Sequence, residues 1–193
     1  MSFARHFLLA NFSVESNALL HNLARKLQQT EGNGGSVPSS FHLTLVYLGA
    51  KIAAENGNDK DFSFIPLRQN LRFPEAFKIR GIYRFHSPEG NSAGYSLHLE
   101  QCRQLEECVA YLAREASQFF FVHEKQHLNN PHITLLNSES AKNKPTVCLL
   151  PEFKLPSALN LDISELELTA TGPEGFVSLS RLSLADRVST AIP

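Results

Sequence analysis

The sequence has little of what secreted, metal-binding and membrane-spanning proteins need. Its three cysteines, Cys102, Cys108 and Cys148, are an odd number without CxxC spacing. This count predicts reduced thiols in the cytoplasm rather than a disulfide framework. The eight histidines fall in no HExxH or zinc-finger pattern, and the apolar run at 7–10 is too short for a signal-peptide core or a membrane span. We therefore expect a cytoplasmic protein with no metal, no cofactor and no membrane partner.

The chain also lacks an excess of positive charge. Its formal net charge is −1 with 19% charged residues, which argues against a non-specific nucleic-acid binder that holds on by phosphate neutralisation alone. A small basic cleft that takes one nucleic-acid end stays possible. The 42% hydrophobic fraction is enough for a sizeable core. We expect residues 1–193 to form one monomeric domain, with the tail after about residue 185 loosely held.

What the sequence does have is one tetrapeptide pattern in two copies, HLTL at 42–45 and HITL at 132–135. Alternate residues of a strand point to the same face, so each copy presents a histidine and a threonine on one face and two aliphatic residues to a core. One copy alone is a weak motif, and its simplest interpretation is a hydrogen-bonded histidine on a half-buried strand. Two copies, both in apolar strand-like runs, favour a functional pair.

The two motifs lie in a repeated order of predicted elements: strand, helix, loop and motif strand. Residues 5–48 show this order first and residues 94–136 show it again. The first helix begins after Ser13 as N-cap and has an apolar stripe of leucines: Leu19, Leu20, Leu23 and Leu27. The strands and the second helix are predicted from periodicity and turn residues: strands at 5–11, 41–48, 76–85, 94–100, 161–171 and 176–184, and a helix at 101–119. Two lobes related by a pseudo-two-fold axis would place His42 and His132 on opposite sides of one groove.

These residue types suit acid–base chemistry on a phosphate. Imidazole titrates near neutrality, so one histidine can act as a base while the other acts as an acid. Hydrolysis of a cyclic phosphodiester needs a water activated on one side and a ribose oxygen protonated on the other. The hydroxyls of Thr44 and Thr134 can each donate a hydrogen bond to a non-bridging phosphate oxygen. Such a site needs no metal.

The paired motifs, 132 − 42 = 90 positions apart, resemble those of the two-histidine phosphoesterases. The chain looks most like the bacterial RNA 2′,3′-cyclic phosphodiesterases, long called 2′-5′ RNA ligases. Residues 5–11, 37–49 and 130–136 resemble the opening strand and the two motif segments, and the closing hairpin has a counterpart. The resemblance implies an α+β fold of two pseudo-symmetric lobes, each an antiparallel sheet backed by helices, with a central groove.

The resemblance also implies a reaction, the metal-independent hydrolysis of a 2′,3′-cyclic phosphate at an RNA or oligonucleotide end to a 2′-phosphate. By this analogy His42 is the proton donor to O3′ and His132 is the proton acceptor from water. The motifs are nearly identical, so the sequence itself does not assign these roles. Within the enzymes, the alternatives are a 2′-5′ oligonucleotide phosphodiesterase and an RNA ligase-like activity. Outside them, the chain would be a module that only binds a nucleotide phosphate.

Charged residues near the second motif are further candidates for substrate binding. Relatives often carry an arginine shortly before this motif, whereas residues 127–131 (HLNNP) contain none. Lys125 and His127 are candidates for the positive charge, although lysine and arginine are not equivalent at a bidentate phosphate site. His98 shares a strand face with Ser96 and is a candidate groove residue; the alternative is plain surface exposure.

Two pairs of residues have open interpretations. Phe41 and Tyr47 are candidates for stacking on a base, as in readers of single-stranded RNA, but aromatics beside a core strand more often pack in the core. Arg80 and Arg84 alternate on a predicted strand, which suits either a stripe that guides phosphate or a solvated face.

Overall fold

The computed structural model describes residues 5–30, 35–52, 62–64, 71–86, 93–122, 130–138, 155–172 and 175–184, and its strands form two antiparallel sheets. The elements in chain order are β1 (His6–Phe12), α1 (Val14–Thr30), β2 (His42–Lys51), β3 (Phe77–His86), β4 (Ala93–Leu99), α2 (Arg103–Ala116), β5 (Phe120–Val122), β6 (His132–Asn137), β7 (Ala158–Leu159), β8 (Ile163–Gly172) and β9 (Gly175–Ser183). One sheet has the order β5-β2-β1-β8-β9 and the other the order β6-β4-β3-β7. The predicted α+β fold with two lobes is confirmed. The predicted tail after residue 185 lies outside the described residues.

The two helices join the two sheets. Ser13 caps α1 as predicted, since its Oγ accepts a hydrogen bond from the Ser16 backbone N–H at 3.3 Å. Leu20 and Leu27 are buried, but Leu19 is 38% exposed, so the buried stripe of α1 is narrower than predicted. Helix α1 contacts β6 as well as β1, and α2 contacts β2 as well as β5. Helix α1 follows β1 of the first sheet but packs on β6 of the second sheet. Helix α2 follows β4 of the second sheet but packs on β2 of the first sheet. The two lobes are therefore interleaved.

The two motif strands share a structural irregularity. Strand β1 pairs with β2, and β4 pairs with β6, and each pairing shifts register at the fourth residue of the tetrapeptide, Leu45 or Leu135. Such a bulge lets two consecutive residues point to the same side, and Val46 and Leu136 are accordingly buried next to the shifted leucines. In β2 the bulge also returns Tyr47 to the face of His42 and Thr44. The duplication of architecture therefore extends to the backbone of the motifs.

Two short strands were not predicted. Strand β5 has three residues and β7 has two, which is too short for any periodic pattern. The helix predicted over 101–119 ends at Ala116, and the chain then turns into β5, which pairs with β2. The strand predicted over 161–171 begins two residues later, at Ile163. No helix in the described ranges is long and apolar enough to cross a membrane.

Gly94 in β4 permits the close approach of β6. A Cβ at this position would overlap the backbone carbonyl of Leu136, which cannot move without displacing the ladder. We expect Gly94→Ala to lower the free energy of unfolding by about 1–3 kcal/mol because of this overpacking. Urea denaturation measures the change, and an unchanged midpoint would mean that β6 does not lie this close to β4.

Candidate active site

The two motif strands meet where the two sheets come together. Strands β2 and β6 are in contact, and each begins with its motif histidine, His42 or His132, both half-buried. Thr44 and Thr134 follow on the same faces as the histidines. The charge on His132 is one of the causes that lower the pKa of His42, after burial, so the two imidazoles lie within electrostatic reach of each other. The structure therefore places the two motif histidines within reach of each other, each with its threonine on the same face of its own strand.

A backbone carbonyl fixes the ring of His132. Its Nδ1 lies 3.0 Å from the carbonyl oxygen of Asn130. A carbonyl only accepts hydrogen bonds, so Nδ1 must carry the proton and donate it. In the neutral ring Nε2 is then an acceptor. The Asn130 carbonyl therefore holds His132 in the tautomer that a general base requires.

His98 lies beside His132 and is not a plain surface residue. The two residues are opposite each other in the β4–β6 ladder, and their rings stack with centroids 5.6 Å apart. The His98 ring also contacts Tyr83 at 4.5 Å, and its Nε2 lies 2.9 Å from Ser96 Oγ. Burial, then the charges on His132 and Arg80, lower the pKa of His98 to about 4. The His98 ring is consequently neutral near pH 7.

Arg80 and Arg84 do not form one stripe. The pairing of β3 with β4 shifts register at Arg80, which breaks the alternation assumed from the sequence. Arg84 Nε donates to the Tyr95 hydroxyl at 2.8 Å, and its guanidinium lies over the ring of this buried tyrosine. Arg80 donates to Asn130 Oδ1 at 3.1 Å, and its charge reaches His98. Arg80 therefore shares a hydrogen-bond partner, Asn130, with His132.

The two aromatic candidates have different surroundings. Phe41 is 1% exposed and packs edge-on against His21, with ring centroids 4.8 Å apart. The base-stacking hypothesis is therefore wrong for Phe41, and its alternative, core packing, is confirmed. Tyr47 is half-buried on the motif face and makes a side-chain hydrogen bond with Thr44. Burial raises the pKa of Tyr47 although this hydrogen bond opposes the change, so the hydroxyl stays protonated and tethered to Thr44.

A polar network beside His42 was not predicted. Asn11 is the partner of His42 in the β1–β2 ladder, and its Nδ2 donates to Glu165 Oε1 at 3.1 Å and to Glu167 Oε2 at 2.8 Å. Arg181 reaches Glu167 Oε1 with Nε at 3.1 Å and Nη2 at 2.9 Å. Both carboxylates lie on β8, on the face of the sheet that carries His42.

Glu167 is a buried carboxylate that stays charged. It is 8% exposed, and burial alone would raise its pKa. Hydrogen bonds from Ser178, Asn11 and Arg181, with the charge of Arg181, outweigh burial and hold the pKa of Glu167 below its ordinary value. Its negative charge in turn acts on His42: burial lowers the pKa of His42, Glu167 opposes this, and the charge on His132 lowers the pKa further. Glu167 thus stabilises the protonated form of His42.

Glu167→Gln should lower the pKa of His42 further. The substitution removes a charge that raises this pKa and leaves burial and the charge on His132, which both lower it. Titration of ¹⁵N-labelled histidine by NMR measures the shift. Glu165→Gln is the matched control, because this carboxylate lies on the same strand face but is more exposed and more strongly screened. A His42 pKa that is unchanged or raised in Glu167→Gln would contradict the coupling.

Two predicted candidates, Lys125 and His127, lie outside the described residues. Within the described ranges, no group of three or more histidine, cysteine or acidic residues could hold a metal ion. The alternation of glutamate and leucine at 164–168 (SELEL) does indicate a strand with one polar face. It does not indicate that this strand lies next to β1, so no sequence pattern connects Glu167 with His42.

Comparison with known proteins gives similarity in structure but not in sequence. No protein family matches the chain by sequence, and no curated protein does so. Among solved structures, Escherichia coli LigT with bound NADP+ superposes with a TM-score of 0.53 at 19% identity, covering 95% of this chain and 99% of LigT. The protein TT0787 of Thermus thermophilus gives 0.53 at 20% identity, covering 93% of this chain and 97% of that protein. A structure described as a phosphoesterase gives 0.51 at 17% identity, covering 95% and 99%. The chain shares the fold of these proteins over nearly its whole length.

Proposed function

We propose that this protein is a two-histidine phosphoesterase of the cytoplasm that hydrolyses the 2′,3′-cyclic phosphate at RNA or oligonucleotide ends to a 2′-phosphate. The observation that carries the proposal is the duplicated motif strand. Strands β2 and β6 begin with a histidine, have a threonine two residues later and a bulge at the fourth residue, and are in contact. A doubled site of this kind is suited to a phosphate held between two imidazoles.

The surroundings of the two histidines support different roles. The Asn130 carbonyl accepts a hydrogen bond from the Nδ1–H group of His132, which leaves Nε2 to remove a proton from water. The Glu167 carboxylate favours the charged form of His42, which is the form that donates a proton. We therefore assign His132 as the base and His42 as the acid. The two motifs are nearly identical, and residues outside the motifs give their histidines different surroundings.

The reaction then proceeds by in-line attack on the cyclic phosphate. His132 Nε2 takes a proton from a water molecule as the water oxygen bonds to phosphorus, and the bond between phosphorus and O3′ breaks. The departing O3′ takes the proton of His42, leaving a 2′-phosphate. Thr44 and Thr134 donate hydrogen bonds to the non-bridging oxygens as negative charge builds on them. The anionic phosphate also favours protonation of His42, which offsets the effect of burial on its pKa.

The nucleotide nature of the substrate has support from the fold. Escherichia coli LigT, which shares the fold, has been crystallised with 3′-AMP as well as with NADP+; the 3′-AMP complex superposes at a TM-score of 0.50 with 20% identity over 94% of this chain and 98% of LigT. Because the sequence identity to LigT is low, nucleotide binding by this chain is part of our proposal.

The test is hydrolysis of an RNA oligonucleotide with a 2′,3′-cyclic phosphate end, in buffer with EDTA. We expect turnover that EDTA does not reduce, and a product with a 2′-phosphate, because O3′ is the leaving group. A 3′-phosphate product would mean that the other bond breaks. Faster turnover of 2′-5′ oligoadenylate would favour the 2′-5′ phosphodiesterase instead. Binding of nucleotide phosphates without turnover of either substrate would contradict catalysis and indicate a binding module.

A further inference from the structure

A polar groove begins at His42 and crosses the first sheet. It has a volume of about 760 Å³ and runs over β1 and β8 to β9. Its polar lining includes Asn11, Glu165, Glu167, Thr169 and Arg181, which we call its floor. We call it the β8 groove. In the reaction proposed above, the nucleoside that bears the leaving O3′ lies on the His42 side of the phosphate, so this groove is where its sugar and base extend.

The charge of the β8 groove suits a neutral base rather than a second phosphate. Apart from His42, its charged side chains are two glutamates and one arginine, a formal sum of −2 + 1 = −1. Arg181 is paired with these carboxylates, since it lies 2.9 Å from Glu167 and 3.8 Å from Glu165. The two lining phenylalanines, Phe12 and Phe41, are buried and cannot stack on a base. Recognition in this groove must therefore use hydrogen bonds to the edge of the ligand.

Two oxygens of the floor have unused hydrogen-bonding capacity. Thr169 is 2% exposed, and its Oγ1 has no hydrogen-bond partner among the described residues. Orphaned buried hydroxyls are uncommon in native proteins and require an explanation, such as a bound water or a ligand. Glu165 uses Oε1 for Asn11, and its Oε2 has no donor within the described part of the chain. A half-buried carboxylate oxygen without a donor can accept a hydrogen bond from an amino group of a ligand.

We propose that the β8 groove is a nucleobase subsite in which Glu165 accepts a hydrogen bond from the amino group of cytosine, adenine or guanine, so that uridine ends are disfavoured. A carboxylate accepts well from such an amino group, for example N4 of cytosine. Uracil presents a carbonyl oxygen at the same position, and two acceptors repel each other. This inference rests on the proposed function, because the proposed function places the nucleoside on the His42 side.

Cytidine and uridine 2′,3′-cyclic phosphates form the matched pair of substrates, since the bases differ in the amino or carbonyl group at C4 and in the protonation of N3. We expect kcat/KM to be about tenfold higher for the cytidine compound, mainly through KM. In Glu165→Gln the ratio should fall to near one, because an amide can turn either its NH₂ or its oxygen to the base. Glu107→Gln on the exposed face of α2 is the control and should keep the wild-type ratio.

Equal kcat/KM for the two compounds in the wild type, or a tenfold ratio that persists in Glu165→Gln, would overturn the subsite while the proposed function stands. If neither these compounds nor the RNA oligonucleotide with a 2′,3′-cyclic phosphate end is hydrolysed, the proposed function fails, and calorimetry with cytidine 2′-phosphate and uridine 2′-phosphate tests the subsite separately. Tighter binding of the cytidine compound that is lost in Glu165→Gln supports it. Equal binding overturns it. Thermal unfolding of both variants verifies that each is folded.

Discussion

Replacing either His132 or His42 with alanine should lower the rate of cyclic-phosphate hydrolysis by roughly two to four orders of magnitude, the size of a lost general base or acid. Without His132, water attacks with no acceptor for its proton. Without His42, O3′ must leave as an alkoxide. Because both groups act in the same step, the loss should appear in kcat, with a smaller change in KM.

His6→Ala is the matched control for the histidine variants. His6 lies at the far end of β1 from Asn11, with its Nδ1 2.9 Å from the Gly49 carbonyl and its ring against Phe120. Its loss removes an imidazole from the same sheet but not from the motifs, so kcat should stay within a few-fold of the wild type. If His42→Ala and His132→Ala retained the activity of His6→Ala, the two motifs would have no catalytic role.

Replacing Thr44 or Thr134 with valine should lower kcat by about two orders of magnitude, the cost of one lost donor to a developing oxyanion. Valine keeps the shape of the side chain and removes only the hydroxyl. The lost hydrogen bond stabilises negative charge on the phosphate oxygens, and this charge is greatest in the transition state, so KM should change less than kcat. The double variant tests whether both hydroxyls act on one phosphate, because two donors to one group give a non-additive loss.

Thr44 needs one additional control, since its hydroxyl is hydrogen-bonded to Tyr47. Tyr47→Phe removes this partner and leaves the threonine intact, and we expect it to cost much less than Thr44→Val. Thr44→Ser should recover most of the activity, because serine supplies the same donor. If Tyr47→Phe were as damaging as Thr44→Val, the tyrosine hydroxyl would be the important group at this position.

The sequence was sufficient to predict the parts of the site that lie within one strand. Alternation placed His42 with Thr44 and His132 with Thr134, and the repeated order of elements predicted the two lobes. His98 was also identified by alternation, since it shares a face with Ser96. These predictions depend on neighbours one or two residues apart, which periodicity describes well.

Bulges and long-range pairing limited the rest. The register shifts at Leu45 and Arg80 changed which residues share a face, so alternation offered no means of separating Arg80 from Arg84. Glu167 and Arg181 are distant from His42 in the chain, and only the strand order β2-β1-β8-β9 brings them together. Strand order between distant segments is set by tertiary packing, which a single sequence does not reveal. The charged partner that distinguishes His42 from His132 was therefore found only in the structure.

The most direct test of the paired-histidine site is a crystal structure with cytidine 2′-phosphate bound. We predict that Nε2 of His42 and Nε2 of His132 both lie about 2.6–3.2 Å from oxygens of the same phosphate group, on opposite sides of it. A phosphate that contacts only one of the two histidines, or that binds in the β8 groove away from both of them, would contradict a shared acid–base site.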